Sequence, residues 1–341
     1  MRDILPILER WASLEAPFAL GTVVERLGSA PRDPGASLAV SAEGGLAGSV
    51  TGGCVDPTVI REAKEVLAGA PGRLHRFGLT GEETVGPGLP CGGTIAVAIY
   101  ALDAGIVVDL AEAVRADRPA ALTLRLGEAR FGEAQLVFDD TRDASVGSLV
   151  AAGESAIVEG EDGELVFVCT IARRPALYVF GISAHASALA SLGHFLGYRV
   201  TVCDARGAFV TPERFPDADE LVVDWPDRFL ERAPVDEQTA ICVLTHDLKF
   251  DVPALVRALG TSARYIGAIG SERTSAEREA RLRAEGISDA ELARIRAPIG
   301  LRIGARSPNE VAVAVGAQLI ESNALARTGS QSEVPRATLF S

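Results

Sequence analysis

Short runs of strand-like residues separated by glycine-rich turns open the chain. Phe18 to Val24 and Ser37 to Val40 read as strands, with Glu43-Gly44-Gly45 as the turn before Leu46 to Val50. The pattern then becomes helical. Asp56-Pro57 has the signature of a helix start, an acceptor for free N–H groups followed by a proline with no N–H to lose. The helix predicted there runs to about Ala68, where Gly69, Pro71 and Gly72 stop it. Arg73 to Gly78 and Thr94 to Tyr100 read as further strands, so this region is α+β. From 104 to 172 strand character recurs at Leu122 to Leu126, Ala134 to Phe138, Ser155 to Val158 and Leu165 to Thr170. This segment is read as an antiparallel extension of the same domain.

The period changes after Arg173-Arg174-Pro175. Apolar strands at Leu177 to Phe180, Arg199 to Cys203, Glu220 to Val223, Ala240 to Leu244 and Tyr265 to Ile269 are interleaved with helical segments near 185–196 and 252–259. Three hydroxyl-carboxylate pairs follow at capping-box spacing: Thr274 with Glu277, Ser288 with Glu291, and Ser307 with Glu310. Strand, crossover and strand in repetition mean a doubly wound parallel sheet. The expected fold is therefore α/β: an N-terminal α+β domain over 1–172, a Rossmann-like domain over 173–325, and a mobile tail over 326–341.

Composition narrows the function. The 341 residues are 48% apolar, enough for a core in each of two or three domains, and the formal charge is −13. Such an acidic chain is poorly suited to gathering nucleic-acid phosphates. No apolar run is long enough to span a membrane, and the amphipathic N-terminus up to Trp11 lacks a leader's apolar core, so a cytoplasmic protein is expected. Five cysteines, none spaced as CxxC, read as thiols in a reducing compartment, and four histidines without HExxH argue against structural zinc.

Candidate chemistry concentrates where cysteine meets glycine. Thr51-Gly52-Gly53-Cys54 runs into the Asp56-Pro57 helix start, which places Cys54 within a turn of N–H groups that favour a thiolate and bind anions. Cys91-Gly92-Gly93 repeats the pattern before a strand, and two such sites in one small domain suggest that both thiols face a shared ligand. The plainer alternative makes both cysteines small core residues. Cys169, Cys203 and Cys242 sit in apolar strand runs and read as core.

In the second domain Gly181-Ile182-Ser183-Ala184 occupies the turn where GxGxxG binds a pyrophosphate, but only the first glycine survives. Asp204 stands where a ribose-binding acid belongs, or equally pairs with Arg206. His246, with Asp247 or Asp251 to orient it, is a candidate base or ligand contact, or a surface loop residue. Ser271 and Arg273 lie at the same strand edge, Arg273 as a phosphate fork or a solvated helix-start residue. His75 and His194 read as structural.

Taken together, the strings resemble the XdhC/CoxI family, accessory proteins of molybdenum hydroxylases. The resemblance rests on Gly28-Ser29-Ala30-Pro31-Arg32, Pro34-Gly35-Ala36, Gly48-Ser49-Val50-Thr51-Gly52-Gly53-Cys54-Val55-Asp56 and Cys91-Gly92-Gly93 in the first half. In the second half it rests on Val179-Phe180-Gly181, Asp204-Ala205-Arg206, Thr245-His246-Asp247, 265–271, 298–301 and 303–305. It implies a non-enzymatic chaperone that binds molybdenum cofactor, as the pterin or its cytosine dinucleotide. Such a chaperone protects the cofactor while a cysteine desulfurase installs its terminal sulfido ligand, and delivers it to an apo molybdenum hydroxylase; a homodimer is the expected assembly. By the same resemblance Cys54 and Cys91 contact the molybdenum, and Gly52, Gly53 and the helix start face the pterin phosphate. Two departures stand out: Asp56 where family members commonly carry glutamate, and His185 displaced by one position from the usual Gly-His pair. The competing reading is an NAD(P)-dependent oxidoreductase using Gly181 and Asp204, for which the eroded turn predicts weak binding or none.

Overall fold

The computed structural model describes residues 1–78, 92–160, 162–329 and 334–340. The chain divides into two compact units, Met1–Arg173 with Ser332–Ser341, and Arg174–Gln331.

The first unit begins with helix α1 (Leu5–Ser13), followed by β1 (Phe18–Leu27), β2 (Ser37–Ser41), β3 (Leu46–Gly48), α2 (Asp56–Leu67), β4 (Arg73–Phe77) and β5 (Thr94–Ala101). The strands form a sheet in the order β3-β2-β1-β5-β4, and every pairing is antiparallel. The two-residue period explains its layering. Ile95, Val97 and Ile99 join Val59 and Ala63 of α2 in one core, whereas Ala96, Ala98 and Tyr100 face a second core with Leu8 of α1. That second core is shared with a four-stranded antiparallel sheet, ordered β7-β6-β9-β8, of β6 (Ala120–Arg125), β7 (Ala134–Phe138), β8 (Ala156–Glu159) and β9 (Leu165–Ile171). The extension expected over 104–172 is thus a sheet of its own.

Two helices in that segment, α3 (Ala104–Arg115) and α4 (Ala144–Ala152), escaped the strand-biased reading. Each starts on an aspartate: Asp103 accepts from the Gly105 amide at 2.7 Å and Asp143 from Ser145 at 3.0 Å. The run Ile106-Val107-Val108 looks strand-like alone, but in α3 it supplies Val107 to the core.

The second unit contains β10 (Ala176–Phe180), α5 (Ala184–Phe195), β11 (Arg199–Cys203), β12 (Glu220–Val222), α6 (Pro226–Arg232), β13 (Ala240–Val243), α7 (Leu248–Leu259), β14 (Tyr265–Ala268), α8 (Glu272–Ala284), α9 (Asp289–Leu292), β15 (Ile295–Arg296) and α10 (Pro308–Gly329). Its six strands are parallel in the order β12-β11-β10-β13-β14-β15, the doubly wound arrangement with its switch point between β10 and β13. Leu177 and Val179 face α5 and α10; Tyr178 and Phe180 face α6 and α7.

Two local expectations need correction. Helix α8 begins one turn before Thr274, because the Ser271 hydroxyl takes the Thr274 amide at 3.2 Å. The Ser288–Glu291 capping box is present, and Glu310 and Ser307 bond reciprocally as expected. Finally, residues 334–340 are not a free tail: they return to the first unit. Glu25 accepts from the Thr338 hydroxyl at 2.6 Å and the Leu339 amide at 2.7 Å, Arg76 donates to the Leu339 carbonyl, and Leu339 and Phe340 pack on the first unit's core.

Candidate functional site

The antiparallel register gathers the cysteine-glycine motifs at one sheet edge. Strand β1 ends at Leu27 opposite Thr94, where β5 begins; Thr22 lies opposite Ser37, where β2 begins, and Leu38 lies opposite Gly48, where β3 ends. Segments 28–36, 49–55 and Gly92-Gly93 consequently emerge together. Gly93 backs onto the first of these so closely that a Cβ would stand 2.4 Å from the Ser29 carbonyl oxygen. Cys91 lies outside the described residues.

Within the 49–55 loop the internal donors are nearly all used. The Asp56 carboxylate accepts from the Ser49 hydroxyl at 2.5 Å, the Thr51 hydroxyl at 3.1 Å, and the amides of Thr51 and Val50 at 3.2 and 3.3 Å. The Ser49 hydroxyl oxygen in turn accepts from the Gly52 amide at 2.6 Å, and the Thr51 hydroxyl oxygen from the Val55 amide at 3.2 Å. Asp56 therefore does not cap its own helix as the sequence suggested. No side chain caps α2 at Val55, and the carboxylate is turned back into the loop. An anion at this helix start would meet a negative group already in place, which disfavours the pterin phosphate expected there.

What the loop offers outward is different. Gly52 and Gly53 have φ of 79° and 128°, and no atom lies within 4 Å of where a Cβ would stand. Cys54 is exposed, and the amides of Gly53 and Cys54 have no partner among the described residues. By contrast Cys169, Cys203 and Cys242 are buried; burial raises all three thiols, Cys203 to about 12 with help from the Asp224 and Asp204 charges.

At the carboxyl edge of the parallel sheet, Gly181 is pinned by the switch point. Its φ is 116°, and a Cβ would come within 2.9 Å of the Leu244 carbonyl group. Ser183 caps α5, accepting the Ala186 amide at 3.3 Å, beside an open cavity of about 570 Å³ lined by Ser183, Ser187, Ser191, Arg214, Ser307 and Asn309. Asp204 is only 2% exposed, and its two oxygens are held by the Arg206 side chain at 2.8 Å each. The pairing with Arg206, left open by the sequence, is the one observed. His246 is exposed, and Asp247, rather than orienting it, caps α7 through the Lys249 amide. Asp251 is buried against Arg278 at 2.7 Å and takes the Thr245 hydroxyl; burial pushes its carboxyl up against the pull of both partners. Arg273 is exposed without a partner among the described residues. His75 stacks on Phe77 and lies 3.4 Å from Glu62. Among the described residues, no cluster of three or more His, Cys, Asp or Glu could hold a metal ion.

Comparison with known proteins places both edges in context. Residues 11–78 match the model of the XdhC and CoxI family, and residues 177–319 match that of the XdhC Rossmann domain. The Escherichia coli molybdenum cofactor insertion chaperone PaoD is 30% identical over 302 residues, 88% of this chain and 81% of the relative. The chain belongs to the XdhC and CoxI family. A further relative, named as a probable xanthine dehydrogenase subunit from Bacillus subtilis, is 26% identical over 89% of this chain and 92% of its own. A Bacillus halodurans crystal structure described as a xanthine dehydrogenase superposes with a TM-score of 0.76 at 25% identity, covering 97% of this chain and 98% of that one. Among the described residues of this XdhC-family chain, no helix is long and apolar enough to cross a membrane.

Sequence reasoning passed over Ser49 and Thr51 as loop organisers and over Arg278 altogether. The first two lay inside the quoted motif, yet a hydroxyl's partner is a matter of loop path. Arg278 had a readable signal: Ser275, Arg278 and Leu282 follow helical spacing, and they form the buried side of α8.

Proposed function

We propose that this chain is a molybdenum cofactor chaperone, receiving the cofactor as cargo at the edge formed by segments 28–36, 49–55 and Gly92-Gly93. It shields the cargo while a cysteine desulfurase supplies the terminal sulfido ligand, and passes it to an apo molybdenum hydroxylase of the xanthine dehydrogenase type. Cys91 is assigned to the same site, the working assembly is a homodimer, and the chain itself catalyses no turnover. The observation that carries the reading is an exposed thiol, with two unpartnered amides beside it, on a loop whose other described donors are already used. A thiolate is a soft donor suited to molybdenum, and outward N–H groups suit its anionic oxo and sulfido ligands. The name borne by the Escherichia coli relative supports the same role.

Cys54→Ser and Cys91→Ser are each expected to weaken anaerobic binding of isolated cofactor, because a hydroxyl stays protonated and is a poor ligand for a soft metal. For Cys54→Ser the melting temperature should stay near the parent's, since the exposed sulfur packs against little. Parent-like affinity in Cys54→Ser would remove that thiol from the site. NAD and NADP are expected to bind weakly or not at all, given that Arg206 already holds both Asp204 oxygens. Calorimetric titration with micromolar NAD affinity, abolished by Asp204→Ala, would put the oxidoreductase reading first.

A further inference from the structure

We infer that Asp56 is a positioning residue for the Cys54 thiol rather than a ligand of the cargo, and that it works through Ser49. This inference rests on the chaperone reading for the identity of the cargo. Asp56 follows Cys54 by two residues, and four donors from Ser49, Val50 and Thr51 converge on its carboxylate. A carboxylate with four donors has little capacity left for another partner. Its consequence is geometric. With Ser49 held by Asp56, the Ser49 oxygen is oriented to take the Gly52 amide, and with Thr51 held, its oxygen takes the Val55 amide. The loop is thereby fixed on both sides of Gly53-Cys54, and those two residues alone keep outward amides. Because glycines at 52 and 53 cannot fix this path by themselves, the carboxylate supplies the preorganisation that the glycines lack.

The same arrangement separates the two ends of the cargo. The helix start carries the protein's own negative charge, so the phosphate is expected away from α2.

The test compares Asp56→Asn, Ser49→Ala and the double variant with the parent, by anaerobic equilibrium binding of isolated molybdenum cofactor, thermal melting and amide hydrogen exchange. Each single variant should bind about 10- to 100-fold more weakly, the range for residues that orient a ligand without touching the metal. The double variant should be no weaker than the weaker single one, because both changes break one relay. Exchange at Gly52 and Val55 should rise in the full-length protein while the melting temperature moves little. Losses that multiply in the double variant, or parent-like affinity in Asp56→Asn beside a Cys54→Ser variant that has lost binding, would overturn the positioning role and leave the chaperone reading standing. If Cys54→Ser binds like the parent, the chaperone site fails instead. Gly52 exchange then decides the positioning role: faster exchange in Asp56→Asn supports it, and unchanged protection overturns it.

Discussion

At the scale of single residues, the four described cysteines differ in environment, as their neighbours in sequence indicate. Cys54 stands exposed in an open glycine turn, while Cys169, Cys203 and Cys242 lie in strands β9, β11 and β13 with thiols raised by burial. A thiol reagent at neutral pH should therefore modify Cys54 before those three, since attack needs both access and thiolate. Mass-spectrometric mapping of the native protein reads this directly; earlier labelling of Cys242 would contradict it. The exposure of Cys54 was legible from its glycines. The use of Asp56 was not, because its position at a helix start fits a cap and a loop clamp equally well until the path of residues 49–52 is known.

At the scale of elements, the junction of β10 with β13 depends on Gly181. Replacing it by alanine forces a Cβ against the Leu244 backbone at positive φ, and should cost about 1–3 kcal/mol of stability by denaturant unfolding. The start of the second unit is fastened differently. Asp219 accepts both arms of Arg174, at 2.7 and 2.8 Å, and the Val200 amide at 2.8 Å. Burial raises its carboxyl, but the Arg174 and Val200 bonds outweigh burial and leave it below its usual 3.8. A lowered folded value favours the charged form, so this stabilisation is complete above pH 3.8 and is lost as pH falls through the depressed value. Arg174→Ala should cost about 2 kcal/mol at neutral pH, and should flatten the decline in stability below about pH 4. Melts across that range, parent against variant, measure the difference.

For the whole molecule, the notable feature is that the first unit is closed by residues from the far end of the chain. Thr338 and Leu339 bond Glu25, two residues from the end of β1, and Arg76 near the end of β4 holds the Leu339 carbonyl. Glu25 lies just before segment 28–36, which leaves at the cysteine-glycine edge. Glu25→Gln weakens two charge-assisted bonds, and is expected to cost about 1 kcal/mol, a fall of roughly 2–4 °C in melting temperature for a unit of this size. Cutting the chain after Gln331 should cost more, because Leu339 and Phe340 also leave the core. Equal melting of the truncated and full chains would show that the strap contributes nothing to stability.

The sequence by itself determined the parallel sheet of the second unit, its β10 glycine turn and the neighbourhood of Cys54. Alternating apolar runs, glycines and proline-marked helix starts act over a few residues, and those distances are what a one-dimensional pattern records. Helices α3 and α4 were lost because Ile106-Val107-Val108 and the glycine-bearing α4 have weak local preference, and packing decided them. Only tertiary structure brought Gly28, Ser49 and Gly93 to one edge, since strand register, not proximity in sequence, sets that meeting. It alone turned Asp56 into the loop, committed Asp204 to Arg206, buried Arg278 beside Asp251 and returned residues 334–340 to Glu25. Each of these is a choice of hydrogen-bond partner across space, made when a polar group leaves water and takes whichever complement the fold has placed beside it.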